Sequence, residues 1–406
     1  MNISSYIHNF FRNINKTGEI FYKLLLKRFG MMNKHQFRVI SEEKFYLCIS
    51  EEKRKMTIAN PTIITSDLAA ELSRAIGVHP GSDCYVLADT ITARECLPYL
   101  YQCGLPAESR VITVEAGDEH KNIEAAVRIW EVLSSSGATR KSLFINLGGG
   151  MITDLGGFAA STFKRGIRYL NIPTSLLGAV DAATGGKTGI NLMGLKNEVG
   201  VFNPADATII DVHFFKSLDA RNLRSGYAEM VKHALIDTVD EWKEVLAFDL
   251  DVVDFEKLST LVERSVRIKE RVVEQDPTEK NIRKALNLGH TFGHAFETFS
   301  HRVHRPALHG YAVMWGLLCE LYLSHVQFGF PKEELLRLKY MMVENYGKLD
   351  FSCGDYEQLY ELMTHDKKND SGFVNFTLLG GIGDIRINCS ATKEQIFETL
   401  DFYLTI

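Results

Sequence analysis

The chain has 406 residues, 45% apolar and 24% charged, a balance that excludes wholesale disorder and suggests two or three domains. Its formal net charge of −5 is unevenly spread: residues 1–55 hold 11 of the 46 basic and 5 of the 51 acidic side chains, leaving 35 basic and 46 acidic to the rest. A main body this acidic argues against a broad nucleic-acid surface, and no run of 18 apolar residues is present to span a membrane.

Residues 1–55 differ in character from the rest of the chain. FYKLLLKRFG is apolar and basic but too interrupted for a signal-peptide core. An amphipathic membrane-surface helix is one reading. The plainer and favoured one is a poorly ordered extension or a leader ahead of Met56. From Met56 the pattern becomes alternating strands and helices. CYVLADT (84–90), RVITVEA (110–116), SLFINLGGG (142–150) and IRYLNIP (167–173) are short β-rich runs bounded by turn residues. NIEAAVRIWEVLSSSG (122–137) has apolar residues near a 3.6 period and ends in Gly137, as a helix does. This alternation predicts an α/β unit with a parallel sheet over 56–214. Beyond residue 214 strand signals fade, and amphipathic or buried helical patterns predict an all-helical unit over 215–406. A cleft between two such units is a favoured ligand site. The seven cysteines are odd in number and form no C-x-x-C pair, so a reducing cytosol is the simplest setting.

Three segments carry chemistry. In SLFINLGGGMITDLGG a hydrophobic strand ends in three glycines and a helix begins. Backbone amides there can approach a phosphate, although the G-x-G-x-x-G fingerprint is absent. A tight strand–helix turn is an equal reading. Asp154 lies one turn into that helix, where a solvated first-turn acid is the bland alternative. The segment 173–204 gathers Thr174, Ser175, Asp181, Lys187, Lys196 and Asn197 among glycines, and reads as a loop gripping anionic oxygens rather than a Walker A motif. Finally, LNLGHTFGHAFE places His290 and His294 at i, i+4. His309 opens the next helix, and Glu229 lies in SGYAEMVKH. Two histidines and a glutamate suit a divalent metal with an open position. Glu229 with His233, and His301 with His304, compete for the same role, and spacing alone does not choose. Lys232, three residues after Glu229, shares its helical face.

Together GGGMITDLGGFAAS, KRGIRYLNIPTSLLGAVDAATGGKTGIN, GLKNEVGVF, GYAEMVKHALI, RKALNLGHTFGHAFE, HGYAVMWG and HDKKN…LLGGIGD resemble the 3-dehydroquinate synthase family, in the family's order, over about residues 84–385. The resemblance implies a Rossmann-like NAD-binding α/β unit followed by a helical unit with the metal and substrate site, in a cytoplasmic homodimer. It implies Glu229, His290 and His309 as ligands of Zn²⁺ or Co²⁺. It implies NAD contacts from Asp89, Asp118, Lys121, Gly149, Gly150, Met151, Ile152, Thr153, Asp154, Thr174, Ser175, Lys187, Lys196, Phe214, Phe215, Lys216 and Ser217. Substrate contacts would come from Asp181, Lys187, Asn197, Lys232, Lys269, Arg283, Asn287, His294 and Lys367, with Arg165 reaching the phosphate of the neighbouring subunit. Ile91, Asp118 and Tyr311 depart from the family's usual Asn, Glu and Glu.

The implied reaction converts 3-deoxy-D-arabino-heptulosonate 7-phosphate to 3-dehydroquinate and phosphate. It runs through transient oxidation by NAD, β-elimination of phosphate, reduction and an intramolecular aldol. Arg283 and Lys269 would hold the carboxylate; Lys187, Asn197 and Arg165 would hold the phosphate. Rival readings are a 2-deoxy-scyllo-inosose or valiolone-type cyclase, whose substrates lack the carboxylate, a metal-dependent glycerol-type dehydrogenase, and a non-enzymatic zinc or nucleotide binder.

Overall fold

The computed structural model describes residues 61–78, 81, 83–193, 195–364 and 374–406. Six parallel strands form the central sheet: β1 (Thr62–Ile64), β2 (Cys84–Asp89), β3 (Arg110–Val114), β4 (Leu143–Gly148), β5 (Arg168–Pro173) and β8 (Ala207–Ile210), in the order β1-β8-β5-β4-β2-β3. β2 and β4 are buried along their whole length, which explains their unbroken apolar sequences. The four strands read from sequence are all present; β1 and β8 are short and carried no alternation to reveal them.

The chain runs from β2 outward to β3, then returns past β2 to β4. That reversal opens a crevice at the carboxyl ends of β2 and β4, the usual ligand position in such sheets. Asp89 ends β2, Gly148 ends β4, and Thr174 follows β5. The helices of this part are α1 (Leu68–Gly77), α2 (Thr90–Glu95), α3 (Leu97–Gln102), α4 (Ile123–Ser135) and α5 (Gly150–Thr162). Apolar side chains of α4 and α5, including Ile129, Leu133, Ile152 and Leu155, pack with Tyr85, Leu87 and Phe144 of the sheet. Each such fully buried side chain contributes about 1.5–3 kcal/mol.

The segment 173–204 is not the loop expected. A π-helical turn at Gly178–Ala182 leads into an antiparallel hairpin of β6 (Lys187–Leu192) and β7 (Leu195–Phe202), paired from Lys187↔Phe202 to Ile190↔Val199. The glycines read as part of an anion-gripping loop are needed for close approach: a Cβ on Gly200 would lie 2.2 Å from the Thr188 carbonyl oxygen.

After a 3₁₀ turn at Val212–Ser217 come α6 (Ala220–Leu235), α7 (Val239–Leu246), α8 (Phe255–Gln275), α9 (His290–Arg302), α10 (His309–Phe328), α11 (Lys332–Tyr346), α12 (Tyr356–Thr364) and α13 (Lys393–Leu404). This half is not all-helical as expected. β9 (Asn375–Gly381) and β10 (Asp384–Ser390) form an antiparallel hairpin between α12 and α13. β9 reads FTLLGG, an apolar run with no polar alternation, and periodicity alone does not separate such a run from buried helix. One continuous apolar cluster joins the other sheet face (Val86, Ile145, Leu170, Ile209) to Tyr227, Trp242, Phe296, Leu317 and Leu400 of the helices. Residues 1–55 and Lys367 lie outside the described residues.

Candidate metal and anion site

Three helices meet at one point because glycines permit it. A Cβ on Gly310 would stand 1.8 Å from the Ser225 carbonyl oxygen, so the start of α10 lies directly on α6, and the Gly310 N–H donates to Ser225 Oγ (3.1 Å). This brings His309, the first residue of α10, to Glu229, one turn along α6 from Ser225. A Cβ on Gly226 would lie 2.4 Å from the Leu177 amide nitrogen, which seats α6 against the segment after Ser175. The start of α9 is held from outside. Gly289 adopts the left-handed conformation (φ +81°) and offers no capping side chain. The buried Glu320 of α10 takes its place, accepting from the N–H groups of Gly289 (2.6 Å), Thr291 (2.9 Å) and Phe292 (3.3 Å). His290 is thereby fixed.

Nε2 of His290 lies 3.6 Å and Nε2 of His309 3.5 Å from Oε1 of Glu229, which is fully buried. Both rings are oriented from behind. His290 Nδ1 is 3.1 Å from the Leu288 carbonyl oxygen, and His309 Nδ1 is 3.1 Å from Glu297 Oε2. Each of those partners accepts only, so each Nδ1 carries a hydrogen. The two Nε2 lone pairs then converge on a carboxylate oxygen that itself receives no hydrogen bond. Acceptors facing acceptors in a buried space require a cation among them. The donor set, two imidazoles and one carboxylate, fits a divalent ion of the zinc or cobalt type with an open position. Burial disfavours a charged His309 ring, but Glu297 and Glu229 outweigh it and push its pKa up to about 10; a proton occupies that place when no metal does.

The competing cluster of Asp181, Glu229 and His233 already contains its cations. Lys232 pairs with Glu229, and Lys269 Nζ lies 2.6 Å from Asp181 Oδ1 while also donating to its carbonyl. Burial favours the neutral forms of Asp181 and Glu229, but Lys269 and Lys232 respectively prevail and hold both carboxyls below their ordinary range. His233 is neutral: burial and the Lys232 charge lower it to about 3, and its Nδ1 meets Ser265 Oγ at 2.8 Å. Among the described residues His301 and His304 join no such metal-type group.

Lys232 pairs with Glu229 of this cluster, and Lys269 with the neighbouring Asp181. Lys232, Lys269 and Arg283 are all buried. The carboxylate of Asp276 accepts the N–H groups of Lys280 (3.0 Å), Asn281 (2.6 Å) and Arg283 (3.2 Å), folding the turn that carries Arg283. Nη1 and Nη2 of Arg283 reach the carbonyls of Pro277 (2.7 Å) and Gly185 (3.2 Å). Glu279 takes Lys187 with one oxygen and Asn287 Nδ2 with the other (2.8 Å). His294 lies beside both rings, 5.3 Å between centroids from His290 and 6.1 Å from His309.

The second group of expected residues lies at the carboxyl edge of the sheet. α5 starts at Gly150 with no side-chain cap, and the neighbouring Gly178 approaches so closely that its Cβ would be 3.2 Å from the Gly150 amide nitrogen. Gly149 stands at the N-cap of α5 and Gly150 through Asp154 form its first turn, with Thr174 and Ser175 alongside: the Thr174 N–H donates to the Gly148 carbonyl (3.0 Å). Buried Lys121 bridges Asp154 (2.9 Å), Asp118 (3.2 Å) and Asn197 Oδ1 (2.7 Å), tying the β6–β7 hairpin to this edge. Lys196 Nζ lies 2.6 Å from Glu297 Oε1 and 3.7 Å from Asp118. Asp89 caps α2, accepting the N–H groups of Ile91 and Thr92 at 2.8 Å. In the 3₁₀ turn Phe214 and Phe215 are core residues, Lys216 lies over the Phe255 ring, and Ser217 donates to the Phe214 carbonyl. Arg165 is exposed just beyond the far end of α5, roughly 20 Å along the axis from Gly150 at 1.5 Å per residue, so its own chain does not bring it to the glycine turn.

Sequence reasoning missed Glu297, Glu320, Glu279 and Asn191, whose amide donates to the carbonyl (2.8 Å) and carboxylate (3.1 Å) of Asp118. Glu297 was findable, since it stands seven residues after His290 on the same face. Glu320 is the lone acid in the apolar run WGLLCELYL, a buried carboxylate in need of donors.

The chain is similar to known proteins over most of its length. Two adjoining family descriptions match the chain: 3-dehydroquinate synthase N-terminal over residues 111–225 and 3-dehydroquinate synthase C-terminal over 226–369. A curated 3-dehydroquinate synthase from Parabacteroides distasonis is 52% identical over 341 residues, 84% of this chain and 97% of that protein. One from Campylobacter jejuni is 36% identical over 297 residues, 71% of this chain and 84% of that protein. Among solved structures, 2-epi-5-epi-valiolone synthase from Streptomyces hygroscopicus subsp. jinggangensis, with NAD⁺ and Zn²⁺ bound, has a TM-score of 0.75 at 23% identity, covering 92% of this chain and 99% of that one. A 2-deoxy-scyllo-inosose synthase complexed with carbaglucose-6-phosphate, NAD⁺ and Co²⁺ has a TM-score of 0.74 at 22% identity, covering 84% and 95%. These two likenesses show the fold.

Proposed function

We propose, from the premise that the chain belongs to the 3-dehydroquinate synthase family, that its site runs that family's reaction as an NAD- and divalent-metal-dependent carbon–oxygen lyase. The substrate is 3-deoxy-D-arabino-heptulosonate 7-phosphate; the products are 3-dehydroquinate and inorganic phosphate. The observation that carries this reading is the convergence of Glu229, His290 and His309, with the buried Lys232 paired to Glu229.

Glu229, His290 and His309 hold the ion, and the glycine turn at Gly149–Asp154 with Thr174, Ser175, Lys121 and Lys196 holds NAD. When bound, the ion supplies Lewis acidity at substrate hydroxyls and NAD accepts and returns one hydride. Arg283 and Lys269 bind the substrate carboxylate, Arg283 through the planar fork that a carboxylate matches. Lys187 and Asn197 bind the phosphate from the hairpin, so the leaving group is anchored on an element separate from the ring-binding helices. Lys232 keeps Glu229 ionised. His294, facing the ligand rings, holds or moves the proton lost from carbon before phosphate departs. Arg165 serves a second copy of the chain, which makes the working unit a homodimer. The same reading assigns NAD to residues 56–214, metal and substrate to 215–406, no part to 1–55, and a substrate contact to Lys367. Among the described residues no helix is long and apolar enough to cross a membrane, in keeping with a cytoplasmic enzyme.

The deciding assay supplies purified protein with NAD, Zn²⁺ and the heptulosonate phosphate, beside heptulose 7-phosphate and glucose 6-phosphate. Phosphate and 3-dehydroquinate should form from the first alone, and chelator should abolish both. Phosphate release without a carbocyclic product, or equal turnover of a substrate lacking the carboxylate, refutes the reading.

A further inference from the structure

We infer that Glu297 is a positioning residue of the metal centre, fixing the ring of His309 with one carboxylate oxygen and the β6–β7 hairpin with the other. The inference rests on Glu229, His290 and His309 being the metal ligands. Glu297 lies two turns along α9 from His290, on the same face, and is only 6% exposed. Its Oε2 stands 3.1 Å from His309 Nδ1, and its Oε1 stands 2.6 Å from Lys196 Nζ.

Both neighbours are donors, so the carboxylate must present an acceptor at each end. Occupying His309 Nδ1 fixes the tautomer that turns Nε2 toward Glu229. α9 therefore supplies one ligand directly and orients a second. The other oxygen reaches from the helical half to β7, the strand that also carries Asn197. Lys196 is half exposed, so the buried carboxylate is the fixed end of that pair. A glutamine in its place keeps the shape but has one acceptor end: its NH₂ would confront either His309 or Lys196, and the ring or the hairpin must give way.

The test uses apo protein, prepared with chelator, and Co²⁺ as the probe. Affinity is read by competition with a chromophoric chelator, and ligand geometry from the cobalt d–d bands, for wild type, Glu297→Gln, Glu297→Asp and His309→Ala. Glu297→Gln should bind cobalt about 10–100-fold more weakly, with shifted bands. Glu297→Asp keeps the charge but draws the oxygens back, and should fall between. Wild-type affinity and bands in Glu297→Gln, with binding lost in His309→Ala, overturn the role of Glu297 and leave the metal site standing. Wild-type binding in His309→Ala overturns the site itself. Should Glu297→Gln fail to unfold cooperatively in a thermal melt, Glu297→Asp decides: wild-type affinity there refutes the inference.

Discussion

Substituting Gly316 with alanine should damage the metal centre from seven residues away. Gly316 faces α9, and a Cβ there would lie 2.0 Å from the Gly289 carbonyl oxygen and 2.6 Å from the Gly293 amide nitrogen. Carbon and oxygen in contact need somewhat more than 3 Å, so α9 and α10 must separate by about 1 Å. Neither obstacle is a side chain that can rotate aside. These helices begin with His290 and His309, and metal–ligand distances tolerate only about 0.2 Å. Overpacking a rigid contact of this kind costs about 1–3 kcal/mol of stability or more. Urea unfolding of apo Gly316→Ala should show that loss, and cobalt titration should show weakened binding beyond it. A variant with wild-type stability and wild-type cobalt affinity would show that the interhelical contact does not set the ligand geometry.

Two other outcomes rest on the same geometry. His309→Ala should lose zinc on dialysis, whereas His233→Gln should retain it, because the Asp181–Glu229–His233 cluster already contains the Lys232 and Lys269 charges; metal analysis showing the reverse would exchange the assignments. His233 also makes stability fall with acid. Its folded value of about 3 lies below the ordinary 6.5, so the unfolded chain binds a proton between those values that the folded chain refuses. Stability from this group is present above pH 6.5 and declines below it by up to about 1.4 kcal/mol per unit, about 2 kcal/mol by pH 5. Urea unfolding of apo protein at pH 7.5 and 5.0 should show a smaller acid loss in His233→Gln than in wild type; equal losses refute the argument.

The α/β pattern was legible because buried parallel strands read as apolar runs between turn residues, and the glycine turn because a strand ended abruptly in three glycines. The hairpin at 187–202 was hidden because β7 is exposed along nearly all its length and has no apolar alternation to display. Local spacing left two overlapping groups sharing Glu229, with His233 one turn along on α6. The discriminating facts included contacts distant in sequence: Glu297 behind the His309 ring, and Lys269 held by Asp181 of the rival cluster. Glu320 and Glu279 act at the site through partners that sequence spacing cannot reach.

Five of the cations that this reading gives to an anionic ligand are matched within the described residues. Lys187 meets Glu279, Lys196 meets Glu297, Lys269 meets Asp181, Lys232 meets Glu229, and Arg283 spends its donors on two carbonyls. An acidic protein that must bind a phosphate and a carboxylate thus holds a carboxylate against each of these lysines, and for the buried Lys232 and Lys269 an unpaired charge would be costly. On this reading substrate binding would be an exchange of anions about preformed cations. Affinity is set by how much better the substrate's phosphate and carboxylate satisfy those donors than Glu279 and the carbonyls of Pro277 and Gly185 do. Glu229 cannot take part in that exchange, because Lys232 and both histidines bear on it at once. On this reading the pairs that would open for substrate are separate from the one that would stay closed at the metal site.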